Sequence, residues 1–163
     1  MAGHNTPRHA TGLRPEATLN PVEVRISGGM LALNRFLMTL QNKRMPVASF
    51  TVGREVDSEA MRATILLDCP PEAARRYTTL LSALEDVQEA EAAAETMEVA
   101  LLKVGGEAWR EAAVRVGIVA HEENGTVVAS GATREMEAWL AGVREDVEDV
   151  VRLGPVARPT GEA

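Results

Sequence analysis

Val22, Val24 and Ile26 alternate with polar or charged neighbours, the period of a strand with one buried face. At Met30 the period lengthens. Met30, Leu33, Phe36, Leu37 and Leu40 make the apolar stripe of a helix that closes on Lys43 and Arg44, basic residues suited to the negative end of its dipole. Pro46 bars continuation, and alternation returns in VASFTVGR, which predicts Ala48, Phe50 and Val52 on one face. A polar loop, EVDSE, leads into AMRATILLD, whose Met61, Ala63, Ile65 and Leu67 share a face, so these two strands predict a hairpin. CPPEAARRYTTLLSAL opens with proline and an early glutamate, then repeats apolar residues at Ala73, Ala74, Tyr77, Leu80, Leu81 and Leu84, a second helix. DVQEAEAA is a weaker strand, and the order so far is β-α-β-β-α-β.

The remaining half repeats that order. TMEVALLKV predicts a strand, GEAWREAA a short helix, and VRVGIVAHEENGTVVASG a hairpin turned at Asn124-Gly125. ATREMEAWLAGVRE predicts a helix with Met136, Trp139, Leu140 and Val143 on one face, and EDVVRLG a last strand. The expected fold is therefore α+β: two tandem ferredoxin-like (βαββαβ) units, antiparallel sheets with helices on one face. Residues 1–20 read as a flexible N-terminal tail, 21–94 as the first unit, 95–156 as the second and 157–163 as a closing tail, with GPVARPTGEA leading out of the fold. Each sheet keeps a helix-free face that needs cover from the other unit or from a second chain. A homodimer or higher oligomer is expected.

Composition excludes more than it identifies. With 3% aromatic residues and a net charge of −7, the chain lacks the basic patches and stacking platforms that nucleic acid requires. No stretch approaches a membrane span and the N-terminus lacks an apolar signal core, so a soluble, cytoplasmic protein is expected. One cysteine, Cys69, cannot form an internal disulfide; close to the start of a predicted helix it is a weak candidate for a reactive thiol. His4 and His9 lie in the tail without acidic or cysteine partners, and His121, Glu122 and Glu123 sit at a hairpin tip, where an exposed polar turn is the simpler reading. The chain contains no Walker loop, GxGxxG, HExxH or GxSxG. No catalytic residue, metal ligand or cofactor is expected. Trp109 and Trp139 are expected in the core, and Asn34, Arg35, Gln41 and Asn42 on the polar side of the first helix.

The stretch ISGGMLALNRF places a glycine turn between a strand and a helix N-terminus, where free backbone amides can hold an anion. Together with NRFLMTLQNKRMPVASFTV, LLSALEDVQEAE, EVALLKV and EAWLAGVREDVEDVVRLGPVA, it resembles the small regulatory subunit of acetolactate synthase (acetohydroxyacid synthase), from about Val22 to Val156. The resemblance implies an ACT domain in the first half and a non-catalytic dimer that binds and modulates the thiamine-diphosphate-dependent catalytic (large) subunit. In that family a branched-chain amino acid effector, commonly valine, binds near the first strand-to-helix turn and the start of the second strand. Here those positions are Gly28, Gly29, Met30, Leu31, Pro46 and Val47. The family pattern at the turn is Asn or Asp, two residues, glycine, one residue, leucine. Gly28, Leu31 and Leu33 stand in those places, and Pro46 stands where an asparagine is common. A degenerate site with weak or absent amino-acid capture follows, and the turn is expected to be structural. The competing reading is a stand-alone ACT-domain small-molecule sensor or binding protein.

Overall fold

The computed structural model describes residues 18–159. Its first unit comprises strand β1 (Leu19–Ile26), helix α1 (Gly29–Asn42), β2 (Val47–Arg54), β3 (Met61–Asp68), α2 (Pro71–Ser82) and β4 (Val87–Ala92). Its second comprises β5 (Thr96–Val104), α3 (Ala108–Val116), β6 (Val119–Glu123), β7 (Thr126–Ala132), α4 (Thr133–Val143), a 3-10 turn (Arg144–Asp146) and β8 (Val147–Ala157). Each unit is a four-stranded antiparallel sheet, ordered β2-β3-β1-β4 and β6-β7-β5-β8, with its two helices packed on one face. The α+β architecture of two βαββαβ units is that expected from the periodicity.

The alternating residues account for both cores. Val22, Val24, Ile26, Ala63, Ile65 and Leu67 point from the first sheet towards Leu33, Phe36 and Leu40 of α1 and Leu81 of α2. Ala100, Leu102, Val127 and Ala129 do the same beneath Trp109, Met136, Trp139 and Val143. The Trp139 indole N–H, fully buried, donates to the carbonyl of Trp109 at 3.1 Å and ties α4 to α3. At the β6–β7 hairpin, Asn124 and Gly125 both take positive φ, 52° and 79°, as a tight two-residue turn requires.

Four local expectations are corrected. In β2 the register slips between Val47 and Ser49, a bulge that turns Val47 and Phe50 to the core and leaves Ala48 exposed, so Ala48 does not share the face of Phe50. In the second unit, Val114 to Val116 belong to α3 rather than to a strand, because the helix runs on until Gly117 at φ 89° caps it. The chain after Leu153 is also strand rather than tail. Val99 pairs with Leu153 but Met97 with Val156, so Gly154 and Pro155 together oppose Glu98 and the strand resumes through Ala157. A proline is tolerated at a bulge on an edge strand, and Gly154 is needed there: at φ 131° an added Cβ would lie 3.0 Å from Glu98 Cγ and 3.1 Å from the Met97 carbonyl. At the other end β1 begins at Leu19, inside the expected tail; residues 1–17, with His4 and His9, and residues 160–163 lie outside those described.

The bulge carries the end of β8 onto the helix-free face of the first sheet. There the Ala157 N–H donates to Thr64 Oγ1 at 2.7 Å, and both residues are buried.

Candidate functional site

The glycine turn is built by three backbone features. β1 ends at Ile26, the Ser27 N–H donates to the Asp86 carbonyl at 2.9 Å, and Gly28 caps α1 at φ 105° with no side-chain hydrogen bond to the first helical amides. Gly28 is required twice over. Its φ is left-handed, and a Cβ there would meet the Ala32 Cβ at 3.1 Å. Gly29, at φ 67°, has open space around it.

A side chain from the loop before β4 occupies the neighbourhood of that turn. Asp86 receives two bonds from the Arg35 guanidinium, Nε to Oδ2 and Nη2 to Oδ1, each 2.8 Å. The hydrogen bonds from Arg35, and its charge, hold the Asp86 carboxyl below the usual carboxylate range against the opposing effect of desolvation. One carboxylate oxygen lies 4.0 Å from where a Gly28 Cβ would be. The carboxylate beside the helix N-terminus is thus charge-paired with a side chain of α1 itself, and no helix amide is bonded to it. Neither Asp86 nor Arg35 is marked in the sequence as part of the turn, because 51 residues separate them.

The candidate effector residues fall in two places within one chain. Gly28, Gly29, Met30 and Leu31 stand at the start of α1, with Met30 and Leu31 exposed. Pro46 and Val47 follow its far end, since the 14 residues of α1 span about 21 Å. The Pro46 carbonyl accepts the Asp68 N–H at 2.8 Å, and Val47 packs against the core. The solvent side of α1 between these places carries Met30, Leu31, Leu37 and Met38, and β2 beside it is an edge strand.

A second concavity, of about 730 Å³, lies at the junction of the units. Leu19, Pro21, Leu66 and Pro155 supply apolar lining, and Glu98 and Arg152 supply charge. Glu98 is 3% exposed, and Arg152 Nη2 contacts its two carboxylate oxygens at 3.0 and 2.7 Å. The Thr96 and Thr133 hydroxyls pair at 2.8 Å on the same wall. Sequence reading passed over Glu98 as one more polar position of a strand; only the bulge in β8 buries it.

The remaining candidates separate. Burial pushes the Cys69 thiol up, as does the negative charge of Asp68, opposite to what a reactive thiol needs. His121 is exposed at the hairpin, its Nε2 4.0 Å from Glu123. Among the described residues no group of three or more His, Cys, Asp or Glu is placed to hold a metal ion, and no helix is long and apolar enough to cross a membrane.

The fold defines a class: two tandem βαββαβ units of the ferredoxin-like type. Among solved structures it is similar to the acetolactate synthase small subunit of Thermotoga maritima, at TM-score 0.72 and 15% identity, over 90% of this chain and 99% of that one. At that identity the likeness is one of fold. A protein of unknown function from Galdieria sulphuraria aligns over 83% of this chain and 96% of its own at 20% identity, with a TM-score of 0.33. No family model and no curated protein matches the sequence.

Proposed function

We propose that this chain is a non-catalytic regulatory subunit of acetolactate synthase, acting in branched-chain amino acid biosynthesis by binding and modulating the thiamine-diphosphate-dependent catalytic subunit. The observation that carries the reading is the matching order of both units along nearly the whole length of the Thermotoga maritima small subunit. The uncharged stripe of α1 beside the open edge of β2 is the surface on which two first units pair side by side. Antiparallel pairing of two α1 helices would also bring Gly28 to Leu31 of one copy near Pro46 and Val47 of the other, the ends a single chain holds apart. The effector position so formed is degenerate, with neither Gly28 nor Pro46 offering a side-chain donor.

The test is reconstitution with the acetolactate synthase large subunit from the same source. Complex formation at micromolar concentration with a changed rate of acetolactate formation is expected. No association and no change of rate would leave the stand-alone sensor as the better reading.

A further inference from the structure

The cavity of about 730 Å³ at the junction of the units has the size and make-up of a small-molecule site, an apolar floor with a few converging polar groups. Leu19, Pro21 and Leu66 reach it from the first unit and Pro155 from the second, so an occupant touches both. Thr96 and Glu98 are alternate residues of β5 and stand on one face of the strand, with Arg152 of β8 beside Glu98. These groups have acceptor capacity left over. Arg152 reaches both Glu98 oxygens through a single nitrogen, Nη2, whereas a carboxylate offers roughly four lone-pair sites. Glu98 is buried, so a donor that completes its shell has to come through the cavity. The Thr96 and Thr133 hydroxyls, paired with each other, also keep lone pairs for a second donor. Charge points the same way. Glu95, Glu98, Glu135 and Glu137 line the cavity against Arg134 and Arg152, and even with Arg158, which holds Glu95 at 3.0 Å, the carboxylates outnumber the guanidiniums. The positive end of the α4 dipole opens on the same wall, with Glu135 in its first turn as its complement.

We propose that the junction cavity binds a small aliphatic primary amine as its ammonium ion, with the nitrogen at Glu98 and the threonine hydroxyls and the carbon chain on the apolar floor. An ammonium brings three N–H donors and one positive charge, which answer the free acceptors and the excess of carboxylates together. An alcohol of the same length brings one donor and no charge, and a carboxylate brings neither. The cavity lies within one chain and its described lining includes no residue of α1, so the inference stands apart from the proposed function.

Calorimetry of the full chain, with no large subunit present, tests it with n-propyl-, n-butyl- and n-pentylammonium as probes and n-butanol and butyrate as controls. The amines are expected to bind in the millimolar range or tighter, gaining about three- to fourfold per added methylene as the chain covers the floor. Butanol and butyrate are expected to bind at least tenfold more weakly than n-butylammonium. Glu98→Gln is expected to weaken n-butylammonium at least tenfold. Ala48→Trp, which fills the cavity from an exposed position and leaves Glu98 and Arg152 in place, is expected to abolish binding. Circular dichroism follows the fold of both variants, and if Glu98→Gln fails to fold, Ala48→Trp carries the test. No binding of any amine overturns the proposal, as does amine binding that a folded variant leaves unchanged, since that places the ligand elsewhere. Butyrate binding more tightly than n-butylammonium also overturns it and assigns the cavity to an anion at α4.

Discussion

Asp86 governs the character of the glycine turn at the scale of single residues. Its carboxyl is held low chiefly by the hydrogen bonds from Arg35, a pairing absent from the unfolded chain. The resulting stability is present above the ordinary aspartate range and is lost as pH falls through the depressed pKa of the folded state. Replacing Arg35 with glutamine is expected to raise the Asp86 pKa towards its ordinary value, followed by NMR titration of the side-chain carboxyl; an unaltered titration would mean that the pair is not formed in solution. Loss of a polar contact to a buried ammonium costs about 1.5–3 kcal/mol, one to two decades of affinity. With Gly28 and Pro46 at two family amide positions, calorimetry of the isolated protein is expected to show no binding of valine, leucine or isoleucine below about millimolar, roughly −4 kcal/mol. A micromolar constant for valine that vanishes in Leu31→Trp would overturn that expectation.

Between elements, the second unit depends on the contact of α3 with α4. Trp139 is fully buried, fills the space under α3 and bonds the Trp109 carbonyl. Truncating a buried tryptophan to alanine typically costs about 3–5 kcal/mol through lost transfer energy and the cavity left behind. Trp139→Ala is therefore expected to melt the second unit well below the first, with loss of Trp109 near-UV ellipticity preceding loss of the remaining helical signal. Coincident unfolding of both units in the variant would show that α3 and α4 do not form a separate cooperative block.

Across the whole molecule, the units are coupled by the end of β8. The Thr64 hydroxyl accepts the Ala157 amide in a buried setting, across 93 positions of sequence. Thr64→Val keeps the shape and removes the acceptor, leaving a buried N–H whose desolvation costs about 1–3 kcal/mol. The expected outcome is a lower melting temperature and faster amide exchange at Ala157, with exchange in β1 and β3 unchanged. Equal exchange at Ala157 in both proteins would remove this bond as a link between units.

Periodicity alone was sufficient for the βαββαβ order, because a strand burying Val22, Val24 and Ile26 and a helix burying Leu33, Phe36 and Leu40 are specified by neighbours a few residues apart. The Asn124-Gly125 turn was legible for the same reason, being local backbone chemistry. The bulges at Ala48 and at Gly154-Pro155 were not, since a register slip depends on what the partner strand presents. The candidate site divides along the same line. Gly28 and its missing cap are visible in the sequence, but the Asp86–Arg35 pair beside it joins residues 51 positions apart. Only folding brings the loop before β4 and α1 together and buries Glu98 under β8. Those outcomes rest on long-range contacts, and no local pattern of apolar and polar residues encodes them.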